Sequence, residues 1–485
     1  MTWREYHNST KHTSESLREA PHTLDWANMP EPFRHYEGVP VLDLPADPPS
    51  PAAPALDVLM GAYGDDRAPD GPAFLSQLLF HAAAISATKC IPAAGFQYAL
   101  RVNPSSGNLH PTEFHFATRG LKDWPDGLYH YRASSHMAEQ RALGDYAARL
   151  GGDLVFILSS IAWREAWKYR DRAYRYCLHD IGHAWESLAL SARAVGCDSL
   201  AVAHFADDEV ARLCGLHPDE WPMLMVRITG APTGSATAGE DRWLGGEANE
   251  LSDETIRYPS IEEVHSATKY IQFRAVPRSA PAVSGTGGIA LPSPVRSRRP
   301  FGETVRQRRS ALNFEGPPAI SFDQLSALLA ATARLSDADF ATSRFVQLYL
   351  YVHRVDGLEP GVYRHWAQSG ALERIRSGDQ QVMAAGLSLQ QSVAGNACVA
   401  FSMIADIDRA VRSHGDRGYR YVHFEAGAIG QRLYLAAEAL GLNATGIGAF
   451  FDDDVNRYLK LPSDQEQVVY HFAVGHAVPD PRISA

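Results

Sequence analysis

Residues 171–230 align without a gap onto residues 416–475, at a constant offset of 245. A duplication of that length constrains the fold strongly, because each copy must build the same core and the two copies must be able to pack. The first stretch opens DRAYRYCLHDIGHAWESLALSARAVGCDSLAVAHFADD, and beneath it lies DRGYRYVHFEAGAIGQRLYLAAEALGLNATGIGAFFDD. Matches include Asp171/Asp416, Arg172/Arg417, Tyr174/Tyr419, Arg175/Arg420, Tyr176/Tyr421, Gly182/Gly427, Gly196/Gly441, Phe205/Phe450 and Asp207-Asp208/Asp452-Asp453. With small shifts of offset the repeat runs back through Gly127-Leu128-Tyr129 over Gly361-Val362-Tyr363, and through Leu75-Ser76 over Leu325-Ser326. The period is far too long for a solenoid, so the expectation is two copies of one domain docked as an intramolecular pseudo-dimer.

Residues 276–300 (VPRSAPAVSGTGGIALPSPVRSRRP) are rich in Pro, Gly and Ser and lack periodic apolar positions, as an interdomain linker should. A second Pro-rich stretch, residues 44–57, closes an N-terminal arm. The division expected is an arm over 1–57, a first domain over 58–275, the linker over 276–300 and a second domain over 301–485. Each half reads as helix, strand, strand, long helix, strand. TEFHFA, LVFILSS and PMLMVRITG are apolar strands of the first half; FVQLYLYVHR, ACVAFSMIA and QVVYHFAVG are those of the second. From about Tyr174 to Val195, Leu178, Ile181, Trp185, Leu188 and Ala192 recur at three and four, predicting a helix with one buried stripe that stops at Gly196. Its counterpart runs from about Tyr419 to Leu440. The fold class is α+β, with helices flanking a mostly antiparallel sheet.

A net charge of −11 argues against nucleic-acid binding, which needs a basic face. Five cysteines, scattered and with no C-x-x-C, support neither a zinc site nor a disulfide framework, and no metal site is expected. The polar first residues lack a signal-peptide core, and no stretch is apolar enough to span a bilayer, so the reading is cytoplasmic with no membrane association.

Three unduplicated stretches carry chemistry. Arg101-Val102-Asn103-Pro104-Ser105-Ser106-Gly107-Asn108 offers backbone N–H groups, hydroxyls and an amide to a polar ligand, though the same residue types make ordinary turns. Arg308-Arg309-Ser310 can grip a phosphate, or can simply be the solvated end of a basic linker. Lys168-Tyr169 can move a proton if the site shifts their ordinary values, and they fall opposite Ser413 and His414, so only one copy has them. His110, His204, Trp163 and Trp167 could line a pocket and are as often core residues.

The ordered set R-R-S-x-x-x-F, P-S-S-G-x-x-x-P, K-Y-x-x-R-x-Y-R and G-I-G-A-F-x-D-D resembles the nitroreductase superfamily, and within it the SagB/ThcOx-type dehydrogenase branch. The resemblance implies tandem nitroreductase-like domains that bind FMN at their shared interface. It implies cofactor contacts from Arg101, Pro104, Ser105, Ser106, Gly107 and Asn108 of the first domain, and from Arg308, Arg309, Ser310, Gly446, Ile447 and Gly448 of the second. It also implies Lys168 and Tyr169 as the proton-removing pair. The first half lacks Arg-Arg-Ser, and the second reads TARLSDADFATSRFVQLY where its own Pro-Ser-Ser-Gly loop would stand. The losses are complementary, so one composite FMN site per chain is expected. Leu312 stands where the family often has a second basic residue. The activity implied is hydride transfer between flavin N5 and a peptide-derived or small heterocyclic substrate such as an azoline, with room for partner enzymes of natural-product biosynthesis and for further oligomerisation. The alternatives are an NAD(P)H-dependent nitro or quinone reductase, and a catalytically silent flavin-binding scaffold subunit.

Overall fold

A computed structural model describes residues 1–484 except 20–22, 65–67, 92–95, 237–239, 272–284, 286–287, 341–343 and 462–464. Much of the expected linker, residues 276–284, 286 and 287, thus lies outside the described residues. Its later part does not behave as a free tether. Ile289–Ala290 adds an edge strand to the second sheet against Ala371–Ser377, and Pro300 bridges Pro54.

Each half contains one antiparallel sheet. In the first, the order is Arg242–Trp243, Met137–Leu143, Gly127–Arg132, Thr112–Thr118, Leu154–Ile161, Glu220–Thr229 and Asp198–Val202. In the second it is Ile289–Ala290, Ala371–Ser377, Gly361–Trp366, Val346–Val352, Val399–Asp406, Glu466–Gly475 and Asn443–Ile447. Six strands of the two orders correspond, as a duplicated fold requires; at the edge, Ile289–Ala290 has its counterpart in Val41–Asp43, and Arg242–Trp243 is an addition to the first sheet. All six apolar runs read from the sequence are strands of these sheets. Two features were not anticipated. A hairpin, Ile85–Ile91 with Phe96–Arg101, receives the C-terminal strand Ile483–Ser484 of the other half. The N-terminal arm is also not a separate body: Val41–Asp43 pairs with Met137–Leu143 at the edge of the first sheet.

The long helices are Ala173–Ala194 and Gly418–Ala439, ended by Gly196 and Gly441 at φ +79 and +70. The expected single buried stripe is corrected here, since every residue of both helices is buried. One face packs on its own sheet and the other on the partner helix, so polar residues such as His179, Asp180 and His183 are enclosed as well. The helices cross where Gly182 meets Gly427. A Cβ on Gly182 would lie 2.9 Å from the Gly427 Cα, and one on Gly427 would lie 3.0 Å from the Gly182 Cα.

Around that crossing the contacts are reciprocal, as in a two-fold dimer. Asp452 accepts Arg172 Nη1 at 3.0 Å and Arg175 Nη1 at 2.8 Å, while Asp207 accepts Arg417 and, at 2.8 Å, Arg420. Ala55 N–H donates to Arg299 O at 2.9 Å, and Phe301 N–H to Ala53 O at 2.8 Å. Even the short helices share the symmetry. Trp3–Ser9 ends at Thr10, which accepts Arg175, and Pro259–Ala267 ends at Thr268, which accepts Arg420. Lys11 and Lys269 then pair with Asp453 and Asp208, each at 2.7 Å. YHNSTKH over VHSATKY is the trace of this in the sequence. Among the described residues, no helix is long and apolar enough to cross a membrane.

Candidate active site

The loop after Phe96–Arg101 turns sharply, with Gly107, Asn108 and His110 at φ +59, +60 and +48. Gly and Asn tolerate that left-handed region best. The loop is pinned from the long helix: Asp180 accepts the Ser105 hydroxyl at 2.6 Å, and the Ser106 hydroxyl and N–H at 3.2 Å. Ser105 Oγ in turn accepts the His110 N–H at 2.8 Å, and Asn108 Nδ2 donates to Ala99 O at 3.0 Å. The side chains expected to meet a ligand are therefore largely engaged in shaping the loop. In the other half, Glu425 takes the place of Asp180 and accepts the Phe345 and Val346 N–H groups, so a helix carboxylate anchors this segment in both copies. Nothing in the apolar spacing of the helix marked Asp180 out; its polarity amid that run was the available signal.

The second half supplies the opposite wall. Arg308 follows helix Phe301–Gln307 and is 4 % exposed; its Nε donates to Val102 O at 2.9 Å and its Nη2 to Arg101 O at 3.1 Å. Burial draws the Arg308 guanidinium down to about 10, with Tyr434 opposing the shift. Its third nitrogen, Nη1, is buried without a hydrogen-bond partner among the described residues. Arg309 is instead spent on the hairpin, donating to Ser86 Oγ at 3.1 Å and Ser86 O at 3.0 Å. Ser310 Oγ and Tyr434 OH lie 2.9 Å apart, and the Gly446 N–H donates to Tyr434 OH at 2.8 Å. Gly446 and Gly448 are required by close rings: a Cβ at Gly446 would lie 2.8 Å from Tyr470 Cζ, and one at Gly448 would lie 2.7 Å from Tyr176 Cδ1.

Lys168 and Tyr169 end the helix Ala162–Tyr169, where Arg170 turns the chain at φ +52. Lys168 Nζ lies 5.3 Å from the centre of the Tyr169 ring, which meets Tyr176 at 4.4 Å. Gly107 lies directly over the pair, for a Cβ there would stand 2.7 Å from Tyr169 OH and 3.2 Å from Lys168 Nζ. Burial, and then the Glu165 carboxyl one turn earlier, push the Tyr169 phenol well above its ordinary range, so it is a neutral phenol. Burial and Asp180 likewise push Glu165 well up, and neither of its oxygens has a hydrogen-bond partner among the described residues. Burial raises Asp180 to about 7.

All fourteen residues singled out from the sequence line one cavity of about 720 Å³ between the halves. That size falls in the range of about 300–1,000 Å³ usual for cofactor and ligand sites. Trp167 lines it too. His110 reaches the cavity lining through Asn108, at 3.1 Å, and Ser105, at 2.8 Å, while Trp163 bonds Ser252 in a separate groove. Trp26 and Met29 of the arm, Tyr98 of the hairpin and Ile483 of the C-terminal strand also reach the cavity, which no local motif announced.

At the pseudo-symmetric location, described residues of the second half lie against the matching strand end. Ala201-Val202-Ala203 stands for Gly446-Ile447-Gly448, and Ala62-Tyr63-Gly64 for Arg308-Arg309-Ser310. Asp337–Phe340 lies along that strand end. Asp339 accepts the Ala203 N–H at 2.9 Å and the His204 N–H at 3.1 Å, and Phe340 stacks at 4.4 Å on Tyr421, the counterpart of Tyr176. His204 therefore belongs to the pseudo-symmetric location.

The residues of the open cavity fit FMN. Arg308 Nη1 is a buried donor and Asn103 Oδ1 a buried acceptor, each without a partner among the described residues.

Comparison with known proteins bears on the same point. The description "Nitroreductase family" matches residues 75–230 and again 305–476. A nitroreductase of Methanocaldococcus jannaschii is 34% identical over 116 residues, and the chain spans 59% of that curated relative's length and 24% of its own. A crystal structure of a nitroreductase from Anabaena variabilis is 27% identical, covers 98% of this chain and 99% of its own, and has a TM-score of 0.78. The NADPH:FMN oxidoreductase of Vibrio harveyi, solved with NAD⁺, is 18% identical over 38% of this chain and 71% of its own, with a TM-score of 0.28. With both halves matched and more than half of the chain covered, the protein belongs to the nitroreductase family and is an oxidoreductase of that typically flavin-dependent family.

Proposed function

We propose that this chain is an FMN-dependent dehydrogenase of the SagB/ThcOx type, acting at one composite site on a peptide-derived or small heterocyclic substrate such as an azoline. The observation that carries the reading is the asymmetry of a symmetric scaffold. At one interdomain location both halves contribute to an open cavity that contains Lys168 and Tyr169; at the other, Asp339 caps the strand-end N–H groups and Phe340 stacks on Tyr421.

FMN, when bound, supplies the hydride acceptor, and the protein supplies orientation and proton handling. Arg308 Nη1 would offer the charge a phosphate needs, and the Asp180 carboxyl holds the Ser105-Ser106 loop in shape. Tyr169, a neutral phenol, is suited to pass a proton between the substrate and its neighbours, with the Lys168 amine beside it. The test is Lys168→Ala, measured by flavin content and by bleaching of the flavin band with a thiazoline-bearing peptide. The expected result is unchanged flavin content with bleaching slowed about 10²-fold or more, the scale of a lost acid–base group. Normal bleaching in the variant, or bleaching by NADPH but not by the peptide, overturns the reading.

A further inference from the structure

Trp26 is 62 % exposed although it lies against the cavity. An indole left that open forgoes much of its hydrophobic stabilisation. It is nevertheless firmly held. Asp25 caps its turn by accepting the Ala27 N–H at 3.2 Å, and the Asp25 carbonyl accepts Trp167 Nε1 at 2.8 Å. On the far side, Asn28 exchanges two hydrogen bonds with the backbone of Glu254, at 2.9 and 3.0 Å. The two indoles meet edge to face at 5.3 Å and 72°, so the buried Trp167 braces Trp26, whose own ring stays mostly exposed.

Trp167 directly precedes Lys168-Tyr169, so this aromatic corner adjoins the groups assigned to the proton. The other copy has Arg412 at the position of Trp167, so the fold does not demand an indole there. The cavity lining also carries Tyr98 and Ile483, and its Lys89 and Asp480 are paired at 2.9 Å. Aromatic and apolar lining beside the exposed Trp26 ring suits a flat, uncharged ring.

We propose that Trp26, braced by Trp167, forms a recognition wall for an aryl or heteroaryl ring of the substrate, carried next to the heterocycle that is oxidised. This rests on the reading of the cavity as the oxidoreductase site, and it makes the N-terminal arm part of substrate selection.

The test is calorimetric titration of the purified full-length protein with 2-phenylthiazoline, 2-methylthiazoline and NADPH, repeated on Trp26→Ala and Trp26→Phe. Trp26 is mostly exposed, so both variants fold, which thermal melting checks. The wild type is expected to bind the phenyl compound about tenfold more tightly than the methyl one. Trp26→Ala brings the two within about threefold of each other, and Trp26→Phe keeps most of the preference. Equal binding of the two thiazolines by the wild type, an undiminished preference in Trp26→Ala, or an effect of Trp26→Ala confined to NADPH overturns the proposal. A phenyl preference that depends on Trp26 in a protein whose flavin no thiazoline bleaches supports the ring wall and refutes the dehydrogenase reading alone.

Discussion

Asp452→Asn and Asp207→Asn form a matched pair, because the duplication gives each variant an internal control. Each carboxylate is fully buried and holds two arginines of the opposite half: Arg172 and Arg175 at 3.0 and 2.8 Å for Asp452, Arg417 and Arg420 for Asp207. Removing one charge leaves two guanidinium groups without compensation, and breaking a buried pair in this way costs about 3–5 kcal/mol. Asparagine keeps one acceptor oxygen, so about 3 kcal/mol is expected for each variant in urea unfolding at pH 7. The flavin result should differ. Arg172 Nη2 also donates to Gly448 O at 3.3 Å on the wall of the open cavity, whereas Arg417 donates to Asp207 and to Thr268 O. Asp452→Asn should therefore lose bound FMN under conditions where Asp207→Asn, equally destabilised, retains it. The pH dependence has a definite sign. Burial alone would raise both carboxyls, but the arginines prevail and hold them below the ordinary 3.8. Their stabilisation is complete above that value and is lost as pH falls below it toward the folded-state value, so the gap between wild type and variants closes in acid. Equal loss of flavin in the two folded variants, or a stability loss under about 1 kcal/mol in either, would refute this reasoning.

Three further outcomes are expected. Gly182→Ala places a methyl group 2.9 Å from the Gly427 Cα and should cost about 1–3 kcal/mol by overpacking, despite alanine's better helix propensity, with flavin affinity falling as the halves separate; an unchanged melting temperature contradicts the close crossing. Arg308→Leu should weaken FMN binding about 10- to 100-fold, the value of a charge-assisted contact of about 1.5–3 kcal/mol, in a titration of the apoprotein, and an unchanged Kd removes Arg308 from the site. Glu165, pushed up by burial and then by Asp180, should titrate above the ordinary 4.5, and a carbon-13 carboxyl resonance with a midpoint at or below 4.5 that vanishes in Glu165→Gln would contradict that environment.

The residues kept in both copies turned out to be those of the shared interface. Gly182 and Gly427 are the helix crossing; Arg172, Arg175, Asp207 and their partners are the reciprocal ion pairs. The duplication made them legible, since what both copies retain is what docking requires. The groups present once gather around one cavity, which spacing could suggest but distance had to show. What stayed hidden has physical reasons. Trp26 and Ile483 reach the cavity from opposite ends of the chain, by long-range packing that leaves no periodicity. The Trp3–Ser9 and Pro259–Ala267 helices escaped because their offset differs from 245 and their likeness is only a few residues long. The Ser105-Ser106 loop reads as a set of free ligand donors, yet the Asp180 carboxylate that claims those donors lies 75 positions away.

The central claim is that a symmetric scaffold keeps one working site. Its most direct test is the FMN-to-chain ratio, from flavin absorbance against amino-acid analysis, after saturating reconstitution and removal of free flavin. One FMN per chain is the expected result, falling toward zero in Arg308→Leu under the same washing; a ratio of two would contradict it.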